Sequence, residues 1–146
     1  MPDYSKNKSS SHGSRIQSKS LPEFSLEPVS AELFSDTAKE LAIVIAENGR
    51  NDKGKNKSTQ LRRFYDEVCL WQEKVGHDES KFKENLPFIK MIAAKAAYAN
   101  GRNLVDDSYL SFIEKGLKQV DSLQKFNTFK TFMEAFMGFY KCERRD

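Results

Sequence analysis

The side chains that could do chemistry here are cations set among aromatic rings. Lys55, Lys57, Arg62 and Arg63 crowd one short stretch, Lys53-Gly54-Lys55-Asn56-Lys57-Ser58-Thr59-Gln60-Leu61-Arg62-Arg63-Phe64-Tyr65. Ser58 or Thr59 would serve as an N-cap, and Leu61, Phe64, Tyr65, Val68, Trp71 and Val75 then recur at three- and four-residue intervals, as one buried helix face does. A helix is expected to start there. Its first-turn N–H groups carry partial positive charge, so each nearby cation costs about 0.3–1 kcal/mol. An anion reverses that sign. A phosphate at a helix N-terminus receives the backbone donors and the Lys and Arg charge together, so the chemistry that suits the stretch is binding of a nucleic-acid backbone. The plainer alternative is a solvated lysine loop.

A second stretch, Leu86-Pro87-Phe88-Ile89-Lys90-Met91-Ile92-Ala93-Ala94-Lys95-Ala96-Ala97-Tyr98-Ala99-Asn100-Gly101-Arg102, reads as helix with two stripes. Leu86, Ile89, Ala93 and Ala96 form one, and Phe88, Met91, Lys95 and Tyr98 form the other. Lys95 and Tyr98 share a face, with Arg102 just beyond on the same side. A lysine beside an exposed ring suits phosphate pairing with base or ribose stacking. The alternative is that Tyr98 is a core aromatic and Lys95 stretches past it to water.

Catalytic signals are weak. His12 lies in a polar tail, and His77 stands alone beside Asp78 and Glu79, as in a solvated turn. Asp106-Asp107 fits helix capping better than a carboxylate pair. There is no Gly-rich phosphate loop, no His-Glu-x-x-His spacing and no nucleophile with a partnered base. Cys69 and Cys142 form neither a disulfide framework nor a metal-ligand spacing. No enzyme activity, metal or cofactor is expected.

Helices must position these residues. Residues 1–27, rich in Ser, Lys and Asn, read as a mobile basic tail with at most non-specific RNA affinity, and 28–146 as one helical domain. Ser30 would cap a first helix ending at Asn48-Gly49, and a flexible basic loop over Arg50 to Lys57 leads to the second, which stops near Gly76. Pro87 leaves two versions of the third: a short turn before a main helix, or one longer helix kinked at the proline. Its five alanines between Ala93 and Ala99 suggest the central, closely packed helix. Asp106 or Asp107 starts a fourth with Tyr109, Leu110, Ile113, Leu117 and Val120, weakened at Gly116. A fifth runs from about Lys125 to Cys142 with Phe126, Phe129, Phe132, Met133, Phe136, Met137, Phe139 and Tyr140. No period-two alternation or internal repeat competes, so the expected fold is an all-α, compact single-domain bundle of about five helices.

Net charge is only +3, but it is unevenly spread. Glu23, Glu27, Glu32, Asp36, Glu40 and Glu47 face Lys39 alone between residues 21 and 47, whereas Arg50 to Arg63 is strongly basic. Such a charge dipole suits one face on phosphate and another on protein. No signal peptide or apolar run of membrane-spanning length is evident, and a soluble, cytoplasmic protein is expected.

The block Gln60-Leu61-Arg62-Arg63-Phe64-Tyr65-Asp66-Glu67-Val68, then Leu86-Pro87, then Lys95-Ala96-Ala97-Tyr98-Ala99-Asn100-Gly101-Arg102 resembles the small-subunit family of type III-A CRISPR effector (Csm) complexes. Phe129, Phe132, Met133-Glu134-Ala135 and Phe139-Tyr140 are similar to that family as well. The resemblance spans about residues 55 to 142. It implies a small helical protein without catalytic activity, whose copies stack as the inner filament of an antiviral ribonucleoprotein beside other Csm-complex subunits. Such a subunit contacts the backbone of the target RNA paired with guide RNA. Arg62 and Arg63 match the family's basic pair at its second helix, and Lys95, Tyr98 and Arg102 match its central block. Lys55 and Lys57 join these RNA-contact candidates on charge alone. The competing expectation is a protein-interaction module without RNA contact, docking through surplus rings of the last helix.

Overall fold

The computed structural model describes residues 18–146. A π-helical turn, Leu33–Thr37, runs into α1 (Ala38–Arg50), followed by α2 (Ser58–Val75), α3 (Glu79–Lys90), α4 (Ile92–Gly101), α5 (Asp107–Gln119) and α6 (Leu123–Glu143). All described regular structure is helical. With α3 and α4 counted as one bent helix, these are the five expected α-helices.

Ring packing decides the arrangement. Along α6, Phe126, Phe129, Phe132, Met133, Phe136 and Tyr140 are all fully buried, each contributing about 1.5–3 kcal/mol relative to exposure. Their three- and four-residue spacing wraps apolar surface around most of the helix, so α6 needs neighbours on several sides. It has them: α1 and α2 each pack chiefly on α6 rather than on one another. The central helix is therefore α6 and not the alanine-rich α4, whose small side chains bury too little area to organise a core. Phe112 of α5, absent from the expected core positions, meets Phe129, Phe132 and Phe136 at 5.1–6.2 Å between ring centroids. Gly116 is what allows this contact, since a Cβ there would overlap the Phe129 ring. The glycine that weakens α5 in isolation lets α5 close on α6.

The basic loop after α1 is pinned, not flexible. Asn56 is fully buried with φ of 65°, a left-handed conformation that Asn tolerates better than most residues. Its side-chain amide donates to Ile45 O (3.1 Å) and Asp106 Oδ1 (2.9 Å), and its Oδ1 accepts from the Asp106 N–H (2.8 Å). Its backbone carbonyl accepts from the Tyr140 hydroxyl at 2.6 Å. Arg144, nearly buried, donates to Lys55 O and Gly54 O and is held by the Asp146 carboxylate. Nearly every polar atom of this buried corner thereby finds a partner, which fixes the start of α2.

Asp106 caps α5, accepting from the Tyr109 N–H at 2.9 Å, as expected. For α2 the expected Ser58 or Thr59 cap is not what forms: Lys57 occupies the cap position, its carbonyl takes the Gln60 and Leu61 N–H groups, and Ser58 is already helical. The helix carrying Pro87 passes through the proline and breaks at Met91, whose N–H is shared between Pro87 O and Phe88 O. The kinked version of the third helix thus holds, displaced by one turn. Helix α4 ends at Gly101, as Asn100-Gly101 leads one to expect, and beyond it Asn103, with φ of 65°, turns the chain so that the Leu104 N–H closes back on Ala99 O.

Of the stretch read as a tail, residues 1–17 lie outside the described residues. Residues 18–27 run along the bundle: Leu26 is buried, Phe24 meets Phe132 at 4.8 Å, and Asn48 bonds the backbone of Lys19 through both N–H and C=O. Three apolar side chains, Leu21, Phe24 and Leu26, are weak as composition in a polar segment but sufficient as anchors.

Candidate nucleic-acid interface

The start of α2 and the outer face of α4 deliver the expected cations very differently. Arg50 donates to Glu143 O at the end of α6, and Lys55 is largely covered and paired with Asp52 at 3.0 Å. Lys57 is exposed at the helix start. Arg62 pairs with Asp66 at 3.1 Å, lies 5.9 Å over the Tyr65 ring, and lines a cleft with Ser58, Thr59, Met137 and Lys141 beside α6. Burial pushes the Tyr65 phenol up from its ordinary value, so that ring stays neutral beneath the guanidinium. Arg63 sits about 100° further round the helix and faces the other flank. Adjacent in sequence, Arg62 and Arg63 serve two different surfaces.

The second flank is the more developed. Lys95 of α4 reaches Glu67 of α2 at 2.6 Å, and the same carboxylate oxygen accepts from the Trp71 indole N–H at 3.4 Å. Trp71 lies parallel to Phe88, with ring centroids 5.9 Å apart and planes 9° apart, and the Lys74 ammonium sits 4.8 Å from the indole centroid. Tyr98 is 68 % exposed, with the Arg102 guanidinium 5.8 Å over its ring. The α2 and α3–α4 segments run antiparallel here, because Glu67 faces Lys95 while the later Trp71 faces the earlier Phe88. Arg63, one turn before Glu67, is therefore level with Tyr98, one turn after Lys95.

The result is one ridge about 16 Å long along α2, reading Lys74, Trp71 with Phe88, Glu67 with Lys95, Arg63 with Tyr98, then Arg102. Phe88 and Met91 are each about half exposed on it, at 53 % and 51 %. The stripe Phe88, Met91, Lys95 and Tyr98 is thus the outward one, and Tyr98 is a surface ring and not a core aromatic. Arg63 and Arg102 have no carboxylate within 4.0 Å among the described residues, so their charge is available to a ligand. Lys95, Tyr98 and Arg102 share this surface, and helical spacing from Glu67 puts Arg63 on the same side; Arg62 and Lys55 are not with them, and Lys57 stands at the α2 start.

Sequence reasoning sets Phe88 on the right stripe but misses Lys74 and Trp71 as members of this surface. The signal was available in part, since Glu67, Trp71 and Lys74 follow Arg63 at helical spacing. The same spacing puts Trp71 with the buried stripe of α2, and the ring is in fact half-buried against the core and stacked on Phe88.

Helix α1 packs chiefly on α6, as α2 does, and its own charges balance, Glu40 and Glu47 against Lys39 and Arg50. Most of the acidic residues of the sequence's first part, Glu23, Glu27, Glu32 and Asp36, lie ahead of α1. Among the described residues no group of His, Cys, Asp and Glu could hold a metal ion, and no helix is long and apolar enough to cross a membrane. The model of the family described as Csm2 Type III-A matches residues 31–146, extending the resemblance from its start near residue 55 back to the beginning of the helical bundle. No curated protein and no solved structure matches the chain. With four fifths of the sequence covered and an all-helical bundle beneath it, the chain belongs to the Csm2 Type III-A family, the small structural subunit of the type III-A CRISPR complex.

Proposed function

We propose that this subunit is a non-catalytic, cytoplasmic RNA-contacting component, stacked in copies within the inner filament of the complex beside the other Csm subunits. It touches the backbone of target RNA paired with guide RNA. The observation that carries this reading is the ridge on which Arg63, Lys95 and Arg102 share one exposed surface with Tyr98. Phosphate contacts suit a subunit that must meet every target sequence, because they position a strand without reading its bases. Arg62 and Lys57, with Lys55 behind them, form a second basic edge at the α2 start.

A modest patch repeated along one polymer gains affinity through effective concentration, so an isolated copy binds weakly. The test is fluorescence anisotropy with labelled single-stranded RNA across a salt series. Substituting Arg63, Lys95 and Arg102 together by Ala lowers affinity and flattens the salt slope by up to about 2 log units per log unit of salt, at roughly 0.7 per phosphate contact. Unchanged affinity and slope, with helicity intact by circular dichroism, would reject the ridge as the RNA face. The protein-docking alternative looked for surplus rings on the last helix. Phe126, Phe129, Phe132 and Phe136 are buried and Phe139 is partly buried, so the last helix offers that alternative little ring surface.

A further inference from the structure

One part of the ridge does more than phosphate contact requires. Cations alone neutralise a backbone, yet Phe88 leaves more than half of its surface in water while its ring is aligned within 9° of Trp71. A single exposed ring is ordinary, but Phe88, Met91 and Tyr98 are exposed along one stripe, and contiguous apolar exposure marks an interaction surface. The pair is also held in place: Glu67 takes the indole N–H, and the same oxygen takes Lys95, so the stack and the nearest cation are tied to one carboxylate. Lys74 lies over the indole. We infer that Phe88, backed by Trp71, is a stacking seat for an unpaired base of the RNA strand, with Lys74 and Lys95 placed for the flanking phosphates. This inference rests on the RNA-contact reading above and adds to it that one base of the contacted strand stands outside the guide pairing.

The occupant follows from charge and shape. A flat ring beside two ammonium groups, on a ridge with four cations against Glu67, complements a planar base on a polyanion. A neutral apolar helix from a partner would leave those charges unanswered. Glu67 is a positioning residue in this arrangement, not a ligand for RNA.

Two strands of equal length separate the parts: a single-stranded oligouridylate, and an abasic phosphodiester oligomer that keeps the sugars and phosphates. Anisotropy at low salt is measured on the full chain and on Phe88→Leu, which keeps apolar bulk at an exposed position and removes the ring. The expected result is that Phe88→Leu weakens the uridylate about tenfold, the size of one lost stacked base, and leaves abasic binding unchanged. Trp71 is the sole tryptophan of the sequence, so its emission reports this spot alone. It should change with the uridylate and not with the abasic strand.

An equal effect of Phe88→Leu on both strands, or none on either, overturns the stacking seat. Salt-dependent abasic binding lost on Arg63→Ala/Arg102→Ala would then still uphold the cationic ridge. If neither strand binds the full chain, both readings fall. If Phe88→Leu spares both strands but weakens association with another subunit, the ring serves a protein contact and the inference is wrong.

Discussion

Tyr109 carries the one buried side-chain polar atom without a hydrogen-bond partner among the described residues, its hydroxyl oxygen. The ring is fully buried beside Phe64, Phe112 and Phe136, so the position is chosen for aromatic volume. An orphaned buried hydroxyl costs about 1–3 kcal/mol in desolvation, and removing it sacrifices no bond. Tyr109→Phe should therefore leave stability unchanged or raise it by up to that amount, read as the urea midpoint at neutral pH. A clear loss would show that the hydroxyl has a partner, such as buried water. Its counterpart Tyr140 behaves oppositely, because its hydroxyl donates to Asn56 O and fastens the loop. The spacing along α5 and α6 marks both tyrosines as core, but which hydroxyl finds a carbonyl depends on a loop that lies 84 residues before Tyr140.

Two helical glycines test how far local propensity governs an element. Gly116 of α5 faces the Phe129 ring, whereas Gly138, inside α6, has open space where a Cβ would stand. Gly116→Ala should cost stability, on the order of 1–3 kcal/mol for overpacking, despite the better helix former. Gly138→Ala should gain roughly 0.5–1 kcal/mol from reduced chain entropy. Thermal melts of both variants decide the point, and a stabilising Gly116→Ala would mean that α5 and α6 pack less closely than described. The same contrast explains the Pro87 helix. Sequence rules place a break at the proline, but α3 continues through it and bends at Met91, where stacking of Phe88 on Trp71 holds the first segment and Ile92 begins burial of the next.

At the scale of the molecule, burial raises the phenols of Tyr109 and Tyr140 above the ordinary tyrosine value, in both cases chiefly by desolvation. A folded pKa above the unfolded one contributes stability that is complete below the unfolded value near 10 and is lost as pH rises towards the folded value. Urea midpoints should thus stay level through mildly alkaline pH and fall above about 10, with a shallower fall in Tyr140→Phe. A midpoint that remains level well past pH 11 would sink this account.

Residue types and spacing along the chain determined that it is all-helical, that the rings of the last helix and the apolar stripe of the second are buried, and that Lys95, Tyr98 and Arg102 lie on one face. Those features depend on a 3.6-residue period and on apolar area, both local properties. Only the tertiary structure decided which helix is central, that the basic loop is clamped by Asn56 and Arg144, and that residues 18–27 belong to the packed body. It alone paired Trp71 of α2 with Phe88 of α3 and so joined the two helices into one ridge. Each of these turns on pairing between distant segments, such as Glu67 with Lys95 or Asn56 with Asp106, and helical periodicity carries no information about which faces meet.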